Sequence, residues 1–85
     1  MKDLTGKTAV ITGASRGIGA ATATAFAAAG ANICLLARSE TQIIELAKNI
    51  GPRAMARACD VADYAAVDAA IRAAQAAFGR VDILI

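Results

Sequence analysis

The stretch Thr12-Gly13-Ala14-Ser15-Arg16-Gly17-Ile18-Gly19 narrows most what this chain can fold into. Before it, the apolar run Thr8-Ala9-Val10-Ile11 reads as a short buried strand over 7–11; after it, an alanine-rich segment from about Arg16 to Ala29 suits a helix. A strand, a glycine turn and a helix in that order aim the free N–H groups of the first helical turn, and the positive end of the helix dipole, at one point. A phosphate or pyrophosphate would sit there. Gly13 lets the chain leave the strand sharply, Gly17 has no Cβ to obstruct an approaching phosphate, and Gly19 allows the helix to lie close on the sheet. The competing reading, in which the glycines only mark a loop, leaves the flanking strand and helix unexplained.

The rest of the chain repeats the alternation. Asn32 to Ala37 is a second continuous apolar run, closed by Arg38, and Ser39 with Gln42 three residues on has the spacing of a capping box opening a second helix. Ile43, Leu46, Ala47 and Ile50 share one face of that helix, and Gly51-Pro52 ends it. A third strand, about Arg53 to Cys59, alternates Ala54, Ala56 and Ala58 with Arg53, Met55 and Arg57, which fits an edge strand with one polar face. Asp63 is placed to cap a third helix with the stripe Val67, Ala70, Ile71, Ala74 and Phe78 and a stop at Gly79; Val81 to Ile85 reads as a fourth strand. The first helix has only Thr22 and Thr24 as polar residues, so it is expected to be largely buried against the sheet and, in a longer protein, against further structure. Strand and helix alternating in this way argue for an α/β fold with a parallel sheet, right-handed crossovers and helices on both faces.

Composition bounds the function. A net charge of +2 suggests neither a nucleic-acid tract nor an acidic tail. No apolar window is long enough to span a membrane, and the first six residues lack the apolar core of a signal peptide, so a cytoplasmic protein with no nucleic-acid or membrane partner is expected. Cys34 and Cys59 fall among apolar neighbours and read as reduced packing residues, a redox role being the alternative; without histidine or ligand spacing, no metal site is expected.

The glycine pattern is Gly-x-x-x-Gly-x-Gly rather than the commoner dinucleotide fingerprint. As Thr-Gly-Ala-Ser-Arg-Gly-Ile-Gly it resembles the short-chain dehydrogenase/reductase family, whose members carry a Rossmann-type domain and move hydride between a nicotinamide cofactor and a carbonyl or alcohol. The resemblance covers the chain but only the N-terminal part of the family's fold. It implies that residues 1–85 are a single, partial dinucleotide-binding domain with strand order 3-2-1-4, and it makes Gly13, Ser15, Arg16, Gly17, Ile18 and Gly19 cofactor-binding residues. It also implies a small-molecule carbonyl or alcohol substrate and a homo-oligomer. Asp60-Val61 matches the family's pattern after the third strand, where the carboxylate accepts from the adenine amino group and the apolar neighbour packs on the ring; alternatively, Asp60 only orders a loop.

Charge bears on the choice of cofactor. In NAD-preferring relatives an acidic residue after the second strand holds the ribose diol, whereas here Ala37 occupies that place and Arg38 follows. Arg38 and Arg16 can converge on a 2′-phosphate, each charge-assisted contact being worth roughly 1.5–3 kcal/mol, which favours NADP(H). The alternative is that both are solvated surface charges.

The family's catalytic Asn, Ser, and Tyr with Lys four residues on cannot be assigned here. Tyr64 is the only tyrosine, and the residue four places on is Asp68, of the wrong charge to favour a phenolate. Three functions follow as expectations: the N-terminal portion of an NADP(H)-dependent oxidoreductase, a non-catalytic NADP(H)-binding module, or a truncated fragment that self-associates through its fourth strand.

Overall fold

The computed structural model describes residues 3–14 and 17–85. Seven elements follow one another: β1 (Thr8–Ile11), α1 (Gly17–Ala28), β2 (Asn32–Ala37), α2 (Glu40–Ile50), β3 (Ala54–Ala58), α3 (Tyr64–Phe78) and β4 (Ile83–Leu84). The four strands form one parallel sheet in the order β3-β2-β1-β4, as the resemblance implies.

Alternation along the strands sorts the core into two layers, because successive strand side chains point to opposite faces. Ala9, Ile11, Ile33, Leu35 and Ala37 pack with Ala23 and Ala27 of α1 and Ile43 of α2 on one face. On the other, Val10, Cys34 and Leu36 pack with Cys59 and with Ala70 and Ala74 of α3. Ile11, Ile33, Leu35, Leu36 and Ile43 are wholly enclosed, each contributing about 1.5–3 kcal/mol of apolar burial. Cys34 belongs to this packing: burial pushes its thiol up to about 11, so it stays protonated. Both cysteines are free and buried.

Three expectations need correction. Of α1, only Ala23 and Ala27 are buried, while Ala21, Thr24, Ala25 and Ala28 are exposed. A helix meets a sheet along one stripe, so the sheet buries only that stripe of α1, and the rest of its apolar surface is the part expected to meet further structure in a longer protein. The fourth strand is ladder-paired only over Ile83–Leu84, although Asp82 N–H donates to the Thr8 carbonyl and Ile85 N–H to the Val10 carbonyl, both at 2.9 Å. The third strand lies at the sheet edge as expected, but its second face is not uniformly polar, since Met55 packs against the α3 layer. Arg53, just before that strand, reaches the opposite layer. Its guanidinium donates to the carbonyls of Ala27, which also accepts from Gly30 N–H, and of Ala31, both at 3.0 Å, tying the start of β3 to the connection between α1 and β2.

At the same, amino end of the sheet but on its β1–β4 side, Thr8 N–H donates to Asp82 Oδ2 at 2.9 Å, and Arg80 donates to both carboxylate oxygens of Asp82. The Arg80 and Thr8 hydrogen bonds hold the Asp82 carboxyl below its ordinary range. A carboxylate with a lowered folded pKa supports the fold above its unfolded value and loses that support as the pH falls through the folded one. Acid unfolding of Asp82→Asn, followed by circular dichroism, should therefore be less steep than that of the parent below about pH 4; superimposable curves would show that the carboxylate adds nothing. Thr8 Oγ1, by contrast, is buried without a hydrogen-bond partner among the described residues. Replacing Thr8 by Val removes an orphaned hydroxyl that costs about 1–3 kcal/mol, so the urea midpoint should hold or rise, and a clear fall would mean that the hydroxyl has a partner.

Candidate nucleotide-binding site

At the carboxyl end of the sheet, the turn after β1 is tied to both neighbouring strands. Thr12 donates to the Ile85 carbonyl from both its N–H and its Oγ1, each at 2.8 Å, and Ala14 N–H donates to the Leu36 carbonyl at 3.1 Å. Gly13 and Gly17 adopt φ of +60° and +64°, the left-handed region that favours glycine, and a Cβ added at either would meet nothing within 4 Å. The space over the turn is open to a ligand. Gly19 differs. A Cβ there would lie 2.9 Å from the Gly13 carbonyl carbon and overlap its oxygen. Gly19 therefore brings the helix close to the turn itself rather than, as expected, to the sheet. Ile18 is 86% exposed at the start of α1, and Ser15 and Arg16 lie outside the described residues.

A cleft of about 440 Å³ opens beside this turn, lined by Gly13, Ala37, Arg38, Ser39, Gln42, Cys59 and Val61. The ends of β2 and β3 and the first turn of α2 thus meet the glycine turn, as expected where strands of a doubly wound sheet end. A second recess of about 340 Å³ shares Arg38 and Cys59 and adds Ala58, Asp60 and Ala66. Arg38 is exposed, and no ion pair among the described residues engages it. Among the described residues, no carboxylate lines the larger cleft. One oxygen of Asp60, Oδ1, accepts from Ala62 N–H at 2.9 Å, so this residue does order its loop.

Of the sequence-derived candidates, the cleft brings together Gly13, Arg38 and Val61, with Asp60 in the adjoining recess. Sequence reasoning missed Ser39, Gln42 and Cys59 as lining residues. The first two have the spacing of a capping box that the structure does not form: Ser39 stands at the N-cap of α2 without a side-chain cap hydrogen bond. Asp63, in a similar backbone conformation before α3, does cap, accepting from Ala66 N–H at 3.1 Å. The available signal was position, since all three missed residues follow closely on the carboxyl end of a strand. Tyr64 stands 86% exposed and lines neither recess, and Asp68 pairs with Arg72 at 3.0 Å.

A family model described as short chain dehydrogenase matches residues 7–85. The chain belongs to the short-chain dehydrogenase family. Among curated relatives of this family, it is 49% identical over 88 residues to oxidoreductase UcpA of Salmonella typhimurium, covering 100% of this chain and 33% of the relative. It is 47% identical over 85 residues to D-threitol dehydrogenase of Mycolicibacterium smegmatis, covering 96% of this chain and 33% of that enzyme. The structure of 3-ketoacyl-(acyl-carrier-protein) reductase from Brucella melitensis, complexed with NADH, superimposes with a TM-score of 0.92 at 44% identity, covering 96% of this chain and 34% of that one. A short-chain dehydrogenase/reductase from Burkholderia phymatum in complex with NAD gives 0.91 at 34% identity, covering 99% of this chain and 31% of that one. The chain therefore spans about a third of the length of these relatives. Among the described residues, no helix is long and apolar enough to cross a membrane and no group of His, Cys, Asp or Glu is placed to hold a metal ion.

The contact between Gly19 and the Gly13 carbonyl generates a test. Gly19→Ala should lower stability by about 1–3 kcal/mol, the usual cost of forcing an extra carbon into a packed contact. Urea denaturation measures this, and a curve identical to the parent's would show that the helix and turn are not in contact.

Proposed function

We propose that this chain is the NADP(H)-binding N-terminal portion, a partial Rossmann domain, of an oxidoreductase that moves hydride between the cofactor and a small carbonyl or alcohol substrate. The observation that carries the reading is the cleft: an open glycine turn, an exposed guanidinium and no carboxylate converge at the carboxyl ends of parallel strands. These residues fit a dinucleotide. The turn of Gly13, Gly17 and Gly19 would admit the diphosphate against backbone N–H groups at the start of α1, with Ser15, Arg16 and Ile18 joining by their place in the sequence. Val61 would pack on the adenine, and the unengaged oxygen of Asp60 would accept from its amino group. When bound, the nicotinamide supplies the hydride carrier.

The preference for NADP(H) over NAD(H) rests on charge. Ala37, 6% exposed at the end of β2, offers no acceptor to a ribose diol, whereas Arg38 offers five donors and a positive charge to a 2′-phosphate. The NADH and NAD complexes of the Brucella and Burkholderia relatives support a nicotinamide dinucleotide in general. A homo-oligomeric, cytoplasmic enzyme without nucleic-acid or membrane partners belongs to the same proposal, supported by the resemblance and the small net charge.

Arg38→Asp tests the charge argument. Fluorescence titration should show NADPH binding weakened by about tenfold to a hundredfold, the equivalent of one charge-assisted contact, with NADH binding spared or improved. Equal affinity of the parent for the two cofactors would remove the argument.

A further inference from the structure

Gln42 is a residue whose spacing assigns it to a helix cap and whose surroundings assign it elsewhere. Ser39 makes no side-chain cap hydrogen bond, and no side-chain hydrogen bond among the described residues engages Gln42. Both side chains are exposed, and both line the cleft that Arg38 lines. Within that lining, the polar side chains are one guanidinium, one hydroxyl, one carboxamide and the Cys59 thiol.

We propose that Gln42 is a specificity-determining residue for the adenosine end of the cofactor, donating from its carboxamide to the 2′-phosphate beside Arg38. The inference rests on the reading of this cleft as the nucleotide site. A carboxamide carries two donors and an acceptor, whereas a guanidinium only donates. Gln42 can therefore serve a phosphate through its NH₂ or a ribose diol through its carbonyl, while Arg38 favours the phosphate. The direction of the preference comes from Arg38, and Gln42 adds to its size. A hydrogen bond to a charged acceptor is stronger than one to a neutral hydroxyl, so loss of the carboxamide falls harder on the phosphorylated nucleotide.

The test is calorimetric titration of the full chain, and of its Gln42→Leu and Gln42→Lys variants, with adenosine 2′,5′-bisphosphate and with adenosine 5′-monophosphate. Gln42→Leu should bind the bisphosphate about tenfold more weakly, with a smaller effect on the monophosphate, and Gln42→Lys should bind the bisphosphate more tightly. Melting temperatures should match the parent's, because the side chain caps nothing. If the parent binds the bisphosphate and neither variant changes the ratio of the two affinities, Gln42 is not a determinant. A lowered melting temperature with equal losses for both nucleotides would overturn the proposal in favour of a capping role. A parent that binds neither nucleotide would overturn the underlying reading of the cleft, and this inference with it.

Discussion

Main-chain hydrogen bonds from Thr12 to the Ile85 carbonyl and from Ala14 to the Leu36 carbonyl hold the glycine turn against the strands on either side of β1. Everything at the carboxyl end of the sheet depends on that anchoring. Ala14 seats the turn in the core, and the glycines, without side chains to pack, depend on neighbouring backbone for their position. With the turn pinned, the Gly13 carbonyl and Gly19 meet, and α1 starts from a defined place above β1.

The same end of the sheet gathers the polar chemistry. Ala37 and Ala58 are register partners at the ends of β2 and β3, and Cys59 N–H continues the ladder by donating to the Ala37 carbonyl at 2.9 Å. Arg38 and Cys59 therefore emerge side by side, and α2 begins two residues after Arg38. The cleft is a consequence of parallel strands: every crossover returns the chain to the same side, so successive loops accumulate there. The opposite end of the sheet has a structural character instead, with Asp82 fastening Arg80 to the start of β1.

Much of this was legible in the residues. The alternation of apolar runs with helical stripes pointed to the parallel sheet, and Asp63 and Gly79 marked the ends of α3, because caps are local chemistry that depends on a few adjacent backbone groups. Legibility stopped where a residue had two possible partners. Ser39 and Gln42 have capping-box spacing, yet the structure leaves that box open and turns both toward a space that forms only when β1 and β3 flank β2. How much of α1 the sheet itself covers was not legible for a related reason: alanine satisfies both a buried stripe and a solvent face, and so carries no information about which it occupies.

The sequence by itself determined the element order, the glycine turn with its flanking strand and helix, and the charge that follows the second strand. Each of these depends on neighbours a few residues away, where backbone geometry and periodicity are the governing physics. Tertiary structure alone decided that Ser39, Gln42 and Cys59 share one cleft with Gly13, Arg38 and Val61. Gly13, residues 38–42 and residues 59–61 are three separate stretches of chain with helices and strands between them, and only the packing of α1 and α2 on one face and α3 on the other brings them together.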